Sequence, residues 1–169
     1  MRKSKGDLAQ RFCGLTYLVA DVHVEAWSGT GLVKDTSAPL TLPQCWNRTI
    51  AVHPTPTYNF SQFVPHGVVI NLGTNDYAGT TLLPSQMQFE SAYIAFIENI
   101  REAYGRVIPV FLVCGPMTSS LKSCPYIENV AQAVEESYYI PMNGLLNAKD
   151  FGVRLLHSQE LLMNSLAFF

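Results

Sequence analysis

Two short polar stretches, Ser28-Gly29-Thr30-Gly31 and Gly73-Thr74-Asn75-Asp76, carry the residue types best suited to holding a developing negative charge on oxygen. A glycine amide has no Cβ to obstruct approach, and an asparagine side chain donates N–H groups that carry no charge of their own. Two or three such donors aimed at one point form an oxyanion hole, which acyl-transfer chemistry needs when a carbonyl becomes tetrahedral. Gly29 and Asn75 are the candidate donors, with Gly31 the alternative to Gly29. The same glycines also suit tight turns, and an Asn-Asp pair also suits turns and helix caps.

For the two stretches to meet, each must leave a strand at the same edge of a sheet. Val22–Trp27 is a short β-prone run that stops at the two glycines. Gly67–Leu72 is an almost unbroken aliphatic run, the pattern of a central parallel strand covered on both faces. Ser85 and Gln88 form a capping box, after which Phe89, Tyr93, Phe96, Ile97, Ile100 and Tyr104 recur at helical spacing, so a helix is predicted over 86–104. Val107–Val113 reads as the next strand, 126–137 as helix, 138–142 as a short strand and 159–168 as a last helix. Residues 35–66 hold Pro39, Pro43, Pro54, Pro56 and Pro65 without periodicity and read as a long surface excursion. Strands alternating with helices predict an α/β fold with a parallel sheet and right-handed crossovers, and in such sheets sites form beyond the carboxyl ends of the strands.

The 169 residues suit one domain, 1–169. With 48% hydrophobic and 14% charged residues the chain is globular rather than disordered. A net charge of −2 without basic runs speaks against nucleic acid as a partner. No apolar stretch approaches the ~20 residues that cross a bilayer, so no membrane span is expected, and Leu15–Ala20 is too short and poorly flanked for a signal-peptide core. The cysteines at 13, 45, 114 and 124 lack C-x-x-C spacing and nearby histidine pairs, so no metal is expected. Cys114 and Cys124 suit either a disulfide across Gly115-Pro116 or two buried thiols. Asn47-Arg48-Thr49 and Asn59-Phe60-Ser61 are glycosylation sequons, a pattern frequent by chance. Composition does not address oligomeric state.

Taken together, the motifs resemble those of the SGNH (GDSL-like) hydrolases. Gly73-Thr74-Asn75-Asp76 after an aliphatic strand is similar to that superfamily's third block, and Ala26-Trp27-Ser28-Gly29-Thr30-Gly31 to its second. Within the superfamily the order of Trp27-Ser28-Gly29, Trp46-Asn47-Arg48-Thr49, Gly-Thr-Asn-Asp, the helix ending in Ile100-Arg101, and Cys114-Gly115-Pro116-Met117 resembles carbohydrate esterase family two, over roughly residues 10–150. The resemblance implies a three-layer α/β/α, flavodoxin-like domain that removes acetyl groups from carbohydrate, with Gly29 and Asn75 in the oxyanion hole. It also implies that no cofactor is needed and that the intact homologue is a secreted, extracellular enzyme.

Two departures qualify that inference. The family's first block is Gly-Asp-Ser, and the nearest stretch here, Gly6-Asp7-Leu8, has leucine where the nucleophile belongs and lies close to Gly29. The chain is therefore read as beginning after the nucleophile, and little or no esterase activity is expected of it. The last block is normally Asp-x-x-His; His157 is the candidate base, but Arg154 occupies the aspartate's place and Asp150 lies further upstream. A competing expectation is a non-catalytic carbohydrate-binding or interaction remnant of the same fold. A nucleotide-binding α/β domain fits less well, because no G-x-G-x-x-G loop follows a strand. Trp46, Tyr58 and Tyr77 have faces suited to a sugar ring, though packing is the expected role of each. His23, His53 and His66 read as structural or exposed, and Ser119, Ser120 and Ser158 lie in no nucleophile context.

Overall fold

The aliphatic run at 67–72 cannot satisfy its backbone in an apolar interior except by pairing, and it does so in a parallel sheet. The computed structural model describes residues 21–34, 39–79, 82–116, 122–142 and 167–168. In chain order the elements are β1 (Val24–Glu25), α1 (Leu42–Cys45), a 3-10 turn (Phe60–Gln62), β2 (Val68–Ile70), α2 (Gln86–Tyr104), β3 (Val110–Cys114), α3 (Cys124–Ala133), β4 (Ser137–Pro141) and β5 (Ala167–Phe168). The parallel sheet has the order β2-β3-β4, with Ile70 opposite Leu112 and Val113 opposite Ile140. The fold class is α/β, as expected.

Helix α2 matches the predicted bounds and begins at Ser85, whose hydroxyl accepts from the Gln88 amide while the Gln88 side chain accepts from the Ser85 amide. It ends at Gly105, which takes the left-handed conformation that other residues resist. Its face of Phe89, Tyr93, Phe96, Ile97 and Ile100 is completely buried, each such side chain contributing roughly 1.5–3 kcal/mol. Arg101 ties the helix end to the sheet by donating to the carbonyls of Ile108 and Glu135. Helices α2 and α3 touch each other, as two right-handed crossovers advancing in one direction along a sheet require.

Several expectations are corrected. The strand expected at 22–27 is only β1, and it pairs antiparallel with β5 instead of joining the parallel sheet. Among the described strands β3, not the 67–72 run, is central. Part of the proline-rich excursion is core: α1 starts with a capping box from Thr41 to Gln44 and buries Leu42, Cys45 and the following Trp46. Pro125 sits in the first turn of α3, where its missing N–H costs nothing, so that helix starts at Cys124 and ends at Ala133, leaving Ser137 to β4. Of the last predicted helix, Ala167 and Phe168 form a strand, and the rest lies outside the described residues.

Cys114 and Cys124 form a disulfide that joins the carboxyl end of β3 to the amino end of α3 across a separation of 10 residues. Closing a loop of that length in the unfolded chain is worth about 2.7 kcal/mol. Reduction is therefore expected to lower the thermal midpoint by about 5–10 °C. Melting with and without a thiol reductant measures this, and an unchanged midpoint refutes a stabilising role.

Candidate functional site

The turn after β2 and the loop after β1 meet. Gly73 takes a φ of 117°, accessible to glycine and strained for other residues, and lets the chain reverse under α3. A side chain there would strike Ser123, whose Oγ lies 2.5 Å from where the added carbon would sit. The turn then closes on itself, with the Tyr77 amide donating to the Gly73 carbonyl and the Ala78 amide to that of Asn75. Asn75 and Asp76 are both fully buried.

From this turn two side chains reach the other loop. The Asn75 Nδ2 donates to the Thr30 carbonyl at 2.9 Å, a contact between residues 45 apart in sequence. The Asp76 carboxylate accepts the amides of Leu32, Val33 and Lys34; Oδ1 takes all three at 3.0, 2.6 and 3.0 Å, and Oδ2 shares that of Leu32 at 2.9 Å. Successive amides converging on one carboxylate make an anion-binding nest filled by the chain's own acid. Burial pushes the Asp76 carboxyl above the usual carboxylate range, and the three amides oppose that shift. Gly31 is packed so tightly here that a Cβ would fall 1.8 Å from the Lys34 carbonyl and 2.8 Å from Asp76 Oδ2. Its own carbonyl accepts from the Leu42 amide at the start of α1.

Gly29 lies one residue before the carbonyl that Asn75 holds, in a turn closed by the Thr30 amide donating to Trp27, and takes a φ of 78°. The structure thus brings the Gly29 loop and Asn75 together. His157, Arg154, Asp150 and Gly6-Asp7-Leu8 lie outside the described residues. Trp46 packs against Phe60 and edge-on against Phe96, and Tyr77 against Phe89 and Tyr126, so both are core residues. Tyr58 is half-buried against His23 and Phe60. Burial raises the Tyr77 phenol, whose hydroxyl donates to the Pro84 carbonyl. Among the described residues no group of His, Cys, Asp and Glu could hold a metal, and no helix is long and apolar enough to cross a membrane.

Sequence reasoning missed what Asp76 and Gly31 do. Asp76 looked like half of a turn or cap pair, and nothing in the sequence says that its acceptors face amides some 44 residues away. Gly31 was legible as a turn glycine, but its close approach to backbone depends on that partner. Ser123, packed over Gly73, gave no signal.

A parallel α/β sheet with a glycine-bearing loop locked to a buried Asn-Asp turn after an aliphatic strand defines a domain of the SGNH-hydrolase fold. Two of its structural neighbours are family two carbohydrate esterases. No family model matches the chain. It is 34% identical over 110 residues to the cellulase/esterase CelE of Acetivibrio thermocellus, across 59% of this chain and 12% of that protein. It is similar to a family two carbohydrate esterase from Clostridium thermocellum in complex with cellohexaose, at 27% identity and a TM-score of 0.60, covering 69% of this chain and 38% of that one. An active-site mutant of a family two esterase from the same organism matches at 26% identity and 0.64, covering 81% and 44%. A third structure, of a carbohydrate esterase whose active site displays divergent catalytic and non-catalytic binding functions, shares the fold at 19% identity and 0.65, covering 82% and 47%. The chain spans less than half the length of each of these relatives.

Proposed function

We propose that residues 1–169 form one domain supplying the oxyanion-binding part of an SGNH-type esterase that removes acetyl groups from carbohydrate. In this reading the Gly29 amide and the Asn75 side chain hold the oxyanion and His157 is the general base. The observation that carries it is the Asn75 to Thr30 hydrogen bond, which joins the asparagine turn to the glycine loop. In such a site a serine attacks the acetyl carbonyl, histidine takes the serine proton and returns it to the leaving sugar oxygen, and the two donors stabilise the tetrahedral oxyanion between those steps. The stretch most like a serine block has Leu8, so turnover by this chain is expected to be negligible while its oxyanion donors remain.

Acetate, the product of deacetylation, tests the donors without requiring the nucleophile. In an NMR titration the Gly29 backbone and Asn75 side-chain amides should shift together, and Asn75→Ala should weaken acetate about tenfold, the worth of one hydrogen bond to a charged group. Acetate that leaves both amides unmoved overturns the assignment. Robust hydrolysis of an aryl acetate, abolished by Asn75→Ala, would keep the donors and overturn the expected inactivity.

Leu8 also favours a second reading, a carbohydrate-binding domain without catalysis, and two of the similar structures give it substance: one holds cellohexaose and another displays non-catalytic binding. Calorimetric binding of cellohexaose in the absence of any acetate response selects that reading.

A further inference from the structure

Thr30 sits between Gly29 and Gly31 and uses its backbone on both sides, its amide donating to Trp27 and its carbonyl accepting from Asn75. Its side chain does something different. The residue is 1% exposed, and its Oγ1 is the one buried side-chain nitrogen or oxygen among the described residues that has no hydrogen-bond partner. A buried hydroxyl without a partner loses its water and gains nothing in return, and native structures keep such groups mainly where they have a use. The polar groups around it are paired: Asn75 pins the Thr30 carbonyl, and Asp76 collects the amides of residues 32–34.

We infer that the Thr30 hydroxyl is a third donor of this site, reserved for the oxygen of a small acyl group or its carboxylate. The inference rests on the proposed function and extends it by one residue. Burial narrows the ligand class. A hydroxyl this deeply buried is reached only by a small ligand, which suits an acetyl group with one oxygen and a methyl, and does not suit a hydrated sugar hydroxyl. Threonine also meets the need chemically, since its hydroxyl donates one hydrogen without bringing a charge into a dry site.

The test exploits the near-identical shape of threonine and valine. Thr30→Val removes an unsatisfied buried polar atom, so its thermal midpoint should equal or exceed that of the parent chain, while acetate should bind about tenfold more weakly. A hydroxyl with a structural role gives the opposite stability result, and a lowered midpoint overturns the inference. Thr30→Ser keeps the hydroxyl and should hold acetate affinity within about fourfold, the scale of a lost methyl; weak binding in both variants, one keeping the methyl and the other the hydroxyl, shows that any change at residue 30 disturbs the site and also overturns it. Parent and valine forms that bind acetate equally sink the Thr30 donor alone, with the Gly29 and Asn75 assignment intact. If the parent chain shows no acetate response at those two residues, this inference falls together with the function on which it rests.

Discussion

Asp76→Ala is expected to lower stability by about 4 kcal/mol and the thermal midpoint by about 10 °C or more, measured by chemical and thermal denaturation. Three backbone amides, those of Leu32, Val33 and Lys34, donate to this carboxylate. Alanine leaves all three without it in a partly buried loop, at roughly 1–3 kcal/mol for each donor that water does not reach. Asp76→Asn should cost about half as much. Its carbonyl oxygen can replace Oδ1, which takes all three amides, but its NH2 would then face the Leu32 amide where Oδ2 now accepts at 2.9 Å. Equal losses in the two variants would show that charge, rather than the number of acceptors, holds the loop.

The same residue sets a pH dependence whose sign follows from burial. Because burial holds the Asp76 carboxyl above the ordinary range against the pull of its amides, the folded chain takes up this proton at a higher pH than the unfolded chain. Its contribution is therefore most favourable at acid pH, below the ordinary aspartate value of about 3.9, and declines as pH rises to the folded value. Above that it is constant. Subtracting the stability-pH curve of Asp76→Asn from that of the parent should reveal a difference that grows with falling pH through this window. A difference that shrinks instead would mean that the amides outweigh burial.

How far the sequence discloses this site depends on which forces are local. The helix at 86–104 was legible to its ends, since Ser85, Gln88 and the period of Phe89 to Ile100 act within one or two turns. Strand β2 was legible from its aliphatic run, but not its place in the sheet, because pairing order depends on elements tens of residues away. Trp46 reads as packing, but the burial of the segment around it has no local mark, since prolines signal breaks and not burial. In the site, the residue types of Gly29 and Asn75 suggest a donor pair, and the structure brings the glycine loop and the asparagine turn together. The lock between the loops was hidden, because Asp76 has no partner within its own turn and its three amides carry no side-chain signature.

That hidden lock makes a second large effect calculable. Gly31→Ala adds a carbon 1.8 Å from the Lys34 carbonyl, and a backbone oxygen cannot swing aside as a flexible side chain would. The segment from 31 to 34 must shift, which withdraws the amides of Leu32, Val33 and Lys34 from Asp76 and disturbs the Gly31 carbonyl that accepts from Leu42. The expected loss is about 3–4 kcal/mol, close to that of Asp76→Ala because both changes dissolve the same set of bonds. Residues that share partners do not act independently. The double variant should therefore be less stable than the worse single variant by no more than about 1 kcal/mol, far below the sum. Losses that add in full would mean that Gly31 and Asp76 support separate features.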